Sequence, residues 1–82
     1  MNIEEKATLA KRLRADEAFQ LFMEEVREDA IAAFTHSASH ESEKREEAHA
    51  ILRGLSNLDG AIASAINAKA VNDKKGQDRG HD

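Results

Sequence analysis

A repeat of apolar residues between Glu41 and Val71 is the feature that most limits the folds open to this chain. The repeat advances in steps of three and four residues, which places its members on one stripe of an α-helix. Its members are Ala48, Ile51, Leu52, Leu55, Leu58, Ile62, Ala65 and Ile66. A helix that is apolar along one stripe has to bury that stripe. We therefore expect the rest of the chain to pack against it.

A second helical repeat precedes this one and covers Glu17 to Phe34. Its apolar positions also recur at three and four residues. They are Phe19, Phe22, Met23, Val26, Ala30, Ala33 and Phe34. The stretch from Thr35 to His40 then supplies turn-forming residues, and Ser39 or Ser42 is expected to cap the helix that follows. Because this turn is short, the helices on either side are expected to be antiparallel neighbours.

A short first helix is predicted from Asn2 to Leu13, with Asn2 as its N-cap. Asp16 has the position of a second N-cap, which predicts a break between this helix and the next. One continuous helix is the alternative, because Ala15 and Ala18 favour helix. The predicted fold class is therefore all-α: a short N-terminal helix followed by a long antiparallel helical hairpin.

The size of the chain and the nature of its apolar residues favour self-association. The chain has 82 residues, three Phe and no Cys, Trp or Tyr, so its core has to consist mainly of aliphatic residues and alanine. Burial stabilises by about 25 cal/mol per Å², and alanine has little area to bury. A domain this small is marginal alone. We therefore expect a homo-oligomer, in which further surface is buried between copies.

The predicted domain covers residues 1–71, and residues 72–82 are predicted to form a flexible polar tail. The tail reads NDKKGQDRGHD and has no apolar residue. Such a segment buries too little surface to offset the entropy that ordering costs. A docking peptide that orders on a partner is the alternative interpretation.

The net charge and the lengths of the apolar runs limit the kinds of partner that the chain is expected to bind. The formal net charge is −4, whereas proteins that bind nucleic acid usually present a basic face. No apolar run approaches the roughly 20 residues that span a membrane. The N-terminal sequence MNIEEK lacks the apolar centre of a signal peptide. We therefore expect a soluble intracellular protein that is not a general nucleic-acid binder and does not bind a membrane.

No motif predicts catalysis, a cofactor or a metal ion. His36, His40 and Glu43 have a spacing found among metal ligands. His40 and Glu41 also begin like an HExxH motif, but Lys44 stands where that motif has its second His. Because this set spans a predicted turn, a solvated turn is the better interpretation.

Six residues are candidates for contact with a partner. Leu21 and Ile31 fall off the apolar stripe of their helix, so they could contact the first helix or another protomer, or simply be exposed. A basic patch near the end of the first helix suits the helix dipole there. Arg45 follows Glu41 by four residues, which allows a surface ion pair. The candidates are Leu21, Ile31, Lys11, Arg12, Arg14 and Arg45.

The segments LRADEAFQLFMEEVREDAIAAF and ESEKREEAHAILRGLSNLDGAI, joined by a polar turn, resemble small helical proteins of tailed phages and prophages. The resemblance covers Leu13 to Ile66. It is carried by the helix start at Asp16 to Phe19 and by the opening of the second long helix, which is rich in Arg and Glu. It implies a phage-encoded protein in the cytoplasm of a bacterial host or attached to the virion, and it implies no catalytic residue.

Three functions are consistent with these observations. The first is a non-enzymatic structural or assembly accessory that binds itself and another phage or host protein. The second is a small anti-defence protein that binds a host factor or a signalling nucleotide between protomers, with the basic candidates converging on the ligand. The third is a DNA-packaging or regulatory protein, which would bind DNA in a salt-dependent manner.

Overall fold

The computed structural model describes residues 1–79 of the chain. It contains three helices, α1 (Ile3–Ala15), α2 (Glu17–His36) and α3 (Ser42–Arg79), and no strand is present in that range. The expected all-α class is therefore confirmed. None of these helices is both long enough and apolar enough to cross a membrane within the described residues.

Side-chain caps fix where α1 and α2 begin. The side chain of Asn2 accepts a hydrogen bond from the backbone N–H of Glu5 at 2.8 Å. Asp16 serves both helices, because its N–H donates to the carbonyl of Leu13 and its carboxylate accepts from the N–H of Phe19 at 2.8 Å. Its backbone is extended, so the predicted break at Asp16 is confirmed and a continuous helix is excluded.

The long helix α3 packs on both of the others. Ala10 of α1 forms an apolar cluster with Ile62 and Ala65 of α3, and Phe19 of α2 and Ile66 of α3 pack against that cluster. The molecule is elongated, with principal extents of 64 × 24 × 19 Å. The third helix therefore serves as the common surface on which the two shorter helices lie.

The buried core consists almost entirely of alanine. Its members are Ala7, Ala10, Ala30, Ala48, Ile62 and Ala65. No side chain larger than these is completely buried within the described residues. Alanine brings helix backbones close together, but it removes little apolar area from water. The single chain consequently leaves many of its large apolar side chains partly in solvent.

Burial departs from the predicted stripes on both long helices. On α3, Leu52, Leu55 and Ile66 are half-buried, but Ile51 and Leu58 are exposed. On α2, Phe19 and Met23 are half-buried, whereas the other large residues of the stripe are exposed. These exposed residues are Phe22, Val26 and Phe34. The physical reason is that a single neighbouring helix covers only the centre of a broad stripe and leaves its edges open.

The last helix extends past the predicted end of the domain. Residues 72–79, predicted as the start of a tail, continue α3 as far as Arg79. Lys69 and Asp73 form an ion pair at 2.7 Å, one helical turn apart, and this hydrogen bond raises the pKa of Lys69. With no proline present, nothing breaks the helix at Val71. The flexibility of the tail stays a prediction, and residues 80–82 lie outside the described residues.

The dual cap at Asp16 predicts a measurable loss of stability when its acceptor is removed. We expect Asp16→Ala to lower the free energy of unfolding by about 1 kcal/mol, as for other N-cap residues. The matched control is Asp16→Asn, which keeps an acceptor and is expected to remain close to wild type. Urea denaturation followed by circular dichroism measures both, and equal losses in the two variants would contradict the assigned cap.

Candidate protein-interaction surface

An open groove runs between the second half of α2 and the first half of α3, and we call it the α2–α3 groove. Its volume is about 630 Å³. The groove has an apolar floor and a charged rim near the turn that joins the two helices. Its lining residues are Val26, Asp29, Ala30, Ala33, His36, Ser37, Glu41, Lys44, Glu47, Ala48 and Ile51.

Small side chains create this groove. Ala30 and Ala48 are almost completely buried, with exposed fractions of 3% and 2%. Val26 and Ala33 on one side and Ile51 on the other form apolar walls above them. Because alanine is short, the helices meet along a narrow line and leave open space between their outer edges. The groove is therefore a consequence of the alanine core.

The apolar surface continues beyond the groove itself. Phe22 lies one turn before Val26 on the same edge of α2, and Leu58 lies two turns after Ile51 on the same edge of α3. Phe22 is 60% exposed and Leu58 is 41% exposed. An exposed phenylalanine beside an open apolar groove is typical of a protein-binding surface.

The rim of the groove carries an excess of negative charge. Glu41 pairs with Lys44 one turn later. The hydrogen bond from Lys44, followed by one from the N–H of Ala38, lowers the pKa of Glu41, and the same pair raises the pKa of Lys44. The charge of Lys44 is thereby balanced. Within the described residues, neither Asp29 nor Glu47 has an ion-pair partner.

Arg45 makes hydrogen bonds within the chain that the sequence did not predict. Its guanidinium donates to the carbonyl of Ala38 at 2.7 Å, to the carbonyl of Ser39 at 3.2 Å and to Oγ of Ser37 at 3.4 Å. The expected pair with Glu41 is replaced by the pair of Glu41 with Lys44. Arg45 therefore holds the turn between α2 and α3 in place.

The cap of α3 also differs from the prediction. The N–H of Arg45 donates to the carbonyl of Glu41 at 3.3 Å, so Glu41 occupies the N-cap position. Its side chain accepts from the N–H of Ala38 at 2.9 Å, and its own N–H donates back to the carbonyl of Ala38. Ser42 is instead the first residue of the helix, and Ser39 lies in the turn.

The remaining candidate residues are dispersed over the surface. Leu21 and Ile31 are exposed and lie on faces of α2 that point away from the groove. Lys11, Arg12 and Arg14 are exposed near the end of α1. The 20 residues of α2 separate this patch from Arg45, a distance of about 30 Å along the helix. One copy of the chain therefore does not bring all the basic candidates together.

The possible metal ligands are dispersed as well. His36 lines the groove, whereas His40 lies in the turn and Glu43 in the first turn of α3. No group of three His, Asp or Glu side chains lies close enough to hold an ion among residues 1–79.

Sequence reasoning missed the groove because it assigned Phe22, Val26 and Ile51 to buried stripes. The available signal was the alanine at positions 30 and 48, where each helix meets its neighbour. When the centre of an apolar stripe consists of small residues and its edges of large ones, two helices are expected to pack closely along the centre and to leave the large residues at the edges uncovered.

No family model, curated protein or solved structure matches this chain, so the interpretation of the groove depends on its own geometry.

The hydrogen bonds of Arg45 predict a specific effect of its removal. We expect Arg45→Ala to lower the free energy of unfolding by about 1.5 kcal/mol, the lower end of the range for hydrogen bonds to charged groups. Arg45→Lys should restore only part of this loss, because an ammonium lacks the fork of a guanidinium. The control is Arg53→Ala on the exposed face of α3, which should cost less than about 0.5 kcal/mol. Equal losses at Arg45 and Arg53 in urea denaturation would contradict this role.

Proposed function

We propose that this protein is a non-enzymatic structural or assembly accessory of a tailed phage, and that it acts by binding copies of itself and a further protein through its helix faces. The observation that carries this proposal is the exposure of large apolar side chains around an alanine core. A soluble chain with this surface gains stability by covering it with protein.

Self-association is supported by the distribution of burial. Phe22, Leu58 and Ile51 are exposed on one side of the molecule, around the α2–α3 groove, whereas the buried residues are mostly alanine. Burying a large apolar side chain is worth about 1.5–3 kcal/mol. Contact between copies at this side would add stabilisation that the alanine core does not provide.

The proposed architecture is an antiparallel hairpin of α2 and α3, with α1 packed beside it. Three contacts support this direction. Phe19, near the start of α2, packs against the cluster that contains Ile62 and Ala65 of α3. Arg27 forms an ion pair with Asp59 at 3.3 Å, and Ala30 lines the groove opposite Ala48. These contacts support an arrangement in which the residue number rises along α2 as it falls along α3.

A second protein would bind away from the groove. Leu21 is 55% exposed and Ile31 is 47% exposed, and both lie on faces of α2 that no other helix covers within the described part of the chain. The end of the chain beyond Val71 is the other candidate for this contact. The resemblance of residues 13–66 to small phage proteins is the reason for proposing a phage setting, with a phage or host protein as the partner.

Sedimentation equilibrium at micromolar concentration tests the proposal. We expect wild type to form a dimer or larger oligomer, and Phe22→Ser to weaken this association by about tenfold or more, equivalent to about 1.4 kcal/mol. The control is Arg53→Ser on the opposite face of α3, which should associate like wild type. A wild-type monomer with full helicity at every concentration would contradict self-association.

A further inference from the structure

The α2–α3 groove cannot be covered by the first helix of the same chain. Ala10 of α1 packs beside Ile62 and Ala65, and α1 ends at Ala15, only about 7.5 Å further along at about 1.5 Å per residue. Ala48 in the groove lies about 21 Å from Ile62 along α3 by the same measure. The first part of α3 is therefore left with one neighbouring helix, whereas the part around Ile62 has two.

The outer face of α1 has the shape and charge to fill such a groove. Leu9 and Leu13 are exposed and lie one turn apart on one edge of the helix. Their neighbours on this face include Lys6 and Arg12, three residues before and after Leu9. The face also carries two carboxylates that serve as helix-cap groups: Glu5 accepts a hydrogen bond from the amide of Asn2 at 3.1 Å, and Asp16 caps α2. Lys6 and Arg12 are the cations that flank the leucines. The face is thus an apolar ridge with a cation on each side.

The groove offers the complementary surface. Its floor is apolar at Ala30 and Ala48, and Asp29 and Glu47 at its rim have no ion-pair partner among the described residues. We propose that α1 of a second copy of this chain occupies the α2–α3 groove, with its two leucines on the floor and its cations beside the rim carboxylates. The proposal deepens the proposed function and rests on the self-association described there.

The positions of the groove and of α1 along α3 allow each copy to place its α1 in the groove of the other copy. Ile51 in the groove and Ala65 beside α1 lie equally far from Leu58, at about 10 Å on either side. A two-fold axis at the level of Leu58 therefore sets α1 of each copy against the groove of the other copy. Reciprocal contact of this kind closes a dimer and leaves no groove open for further addition.

Disulfide formation between copies tests this arrangement directly, because the chain has no cysteine of its own. Two preparations, Leu9→Cys carrying a tag that adds mass and untagged Ala33→Cys, are mixed under mild oxidation, and the covalent heterodimer is measured as the band of intermediate mass on a non-reducing gel. The control replaces Ala33→Cys by Leu21→Cys, which is exposed on the opposite face of α2. We expect the heterodimer with Ala33→Cys to form several-fold faster than the one with Leu21→Cys.

Charge reversal provides a second, independent measurement. Arg12→Glu should weaken the dimer several-fold in sedimentation equilibrium, and the double variant Arg12→Glu with Glu47→Arg should recover most of that loss. If wild type is a dimer but the cysteine variants at positions 33 and 21 form the heterodimer at equal rates and the charge reversal is not rescued, the placement of α1 is overturned and self-association is left intact. A wild-type monomer would overturn both.

Discussion

Close contact between alanines on neighbouring helices is the interaction on which the rest of this structure depends. Ala30 of α2 and Ala48 of α3 are almost completely buried, as are Ala7 and Ala10 of α1. Their short side chains let the helices approach closely, but they remove little apolar area from water. The contact therefore orders the three helices while it leaves the larger apolar residues at the edges of each interface.

Local signals explain which features of the fold could be predicted from the sequence. The caps at Asn2 and Asp16 act within three residues, so the start of α1 and the break before α2 could be predicted from residue type and spacing. The all-α class follows from the repeats at three and four residues. The extent of α3 could not be predicted in the same way, because the sequence has no proline beyond Val71 and no glycine among the described residues has a left-handed backbone.

The α2–α3 groove could not be predicted from the sequence, because its shape depends on how the three helices pack and not on the pattern within any one of them. Phe22 and Ile51 belong to apolar stripes, but their exposure is decided by where α1 stops and by how closely α2 and α3 approach. Arg45 likewise contacts backbone carbonyls of the preceding turn. Because every residue has a backbone carbonyl, the residue types do not indicate which carbonyls will accept these hydrogen bonds. A pattern of side chains predicts which face of a helix is apolar; the other helices determine how much of that face is covered.

We propose that the fold reaches its full stability only when another copy of the chain covers the α2–α3 groove. Thermal unfolding measured over a hundredfold range of protein concentration, about 1 to 100 μM, tests this claim most directly, because association with the folded state makes the melting temperature depend on concentration. We expect the melting temperature of the wild-type chain to rise steadily with concentration. A melting temperature that stays constant over the whole range would contradict the claim.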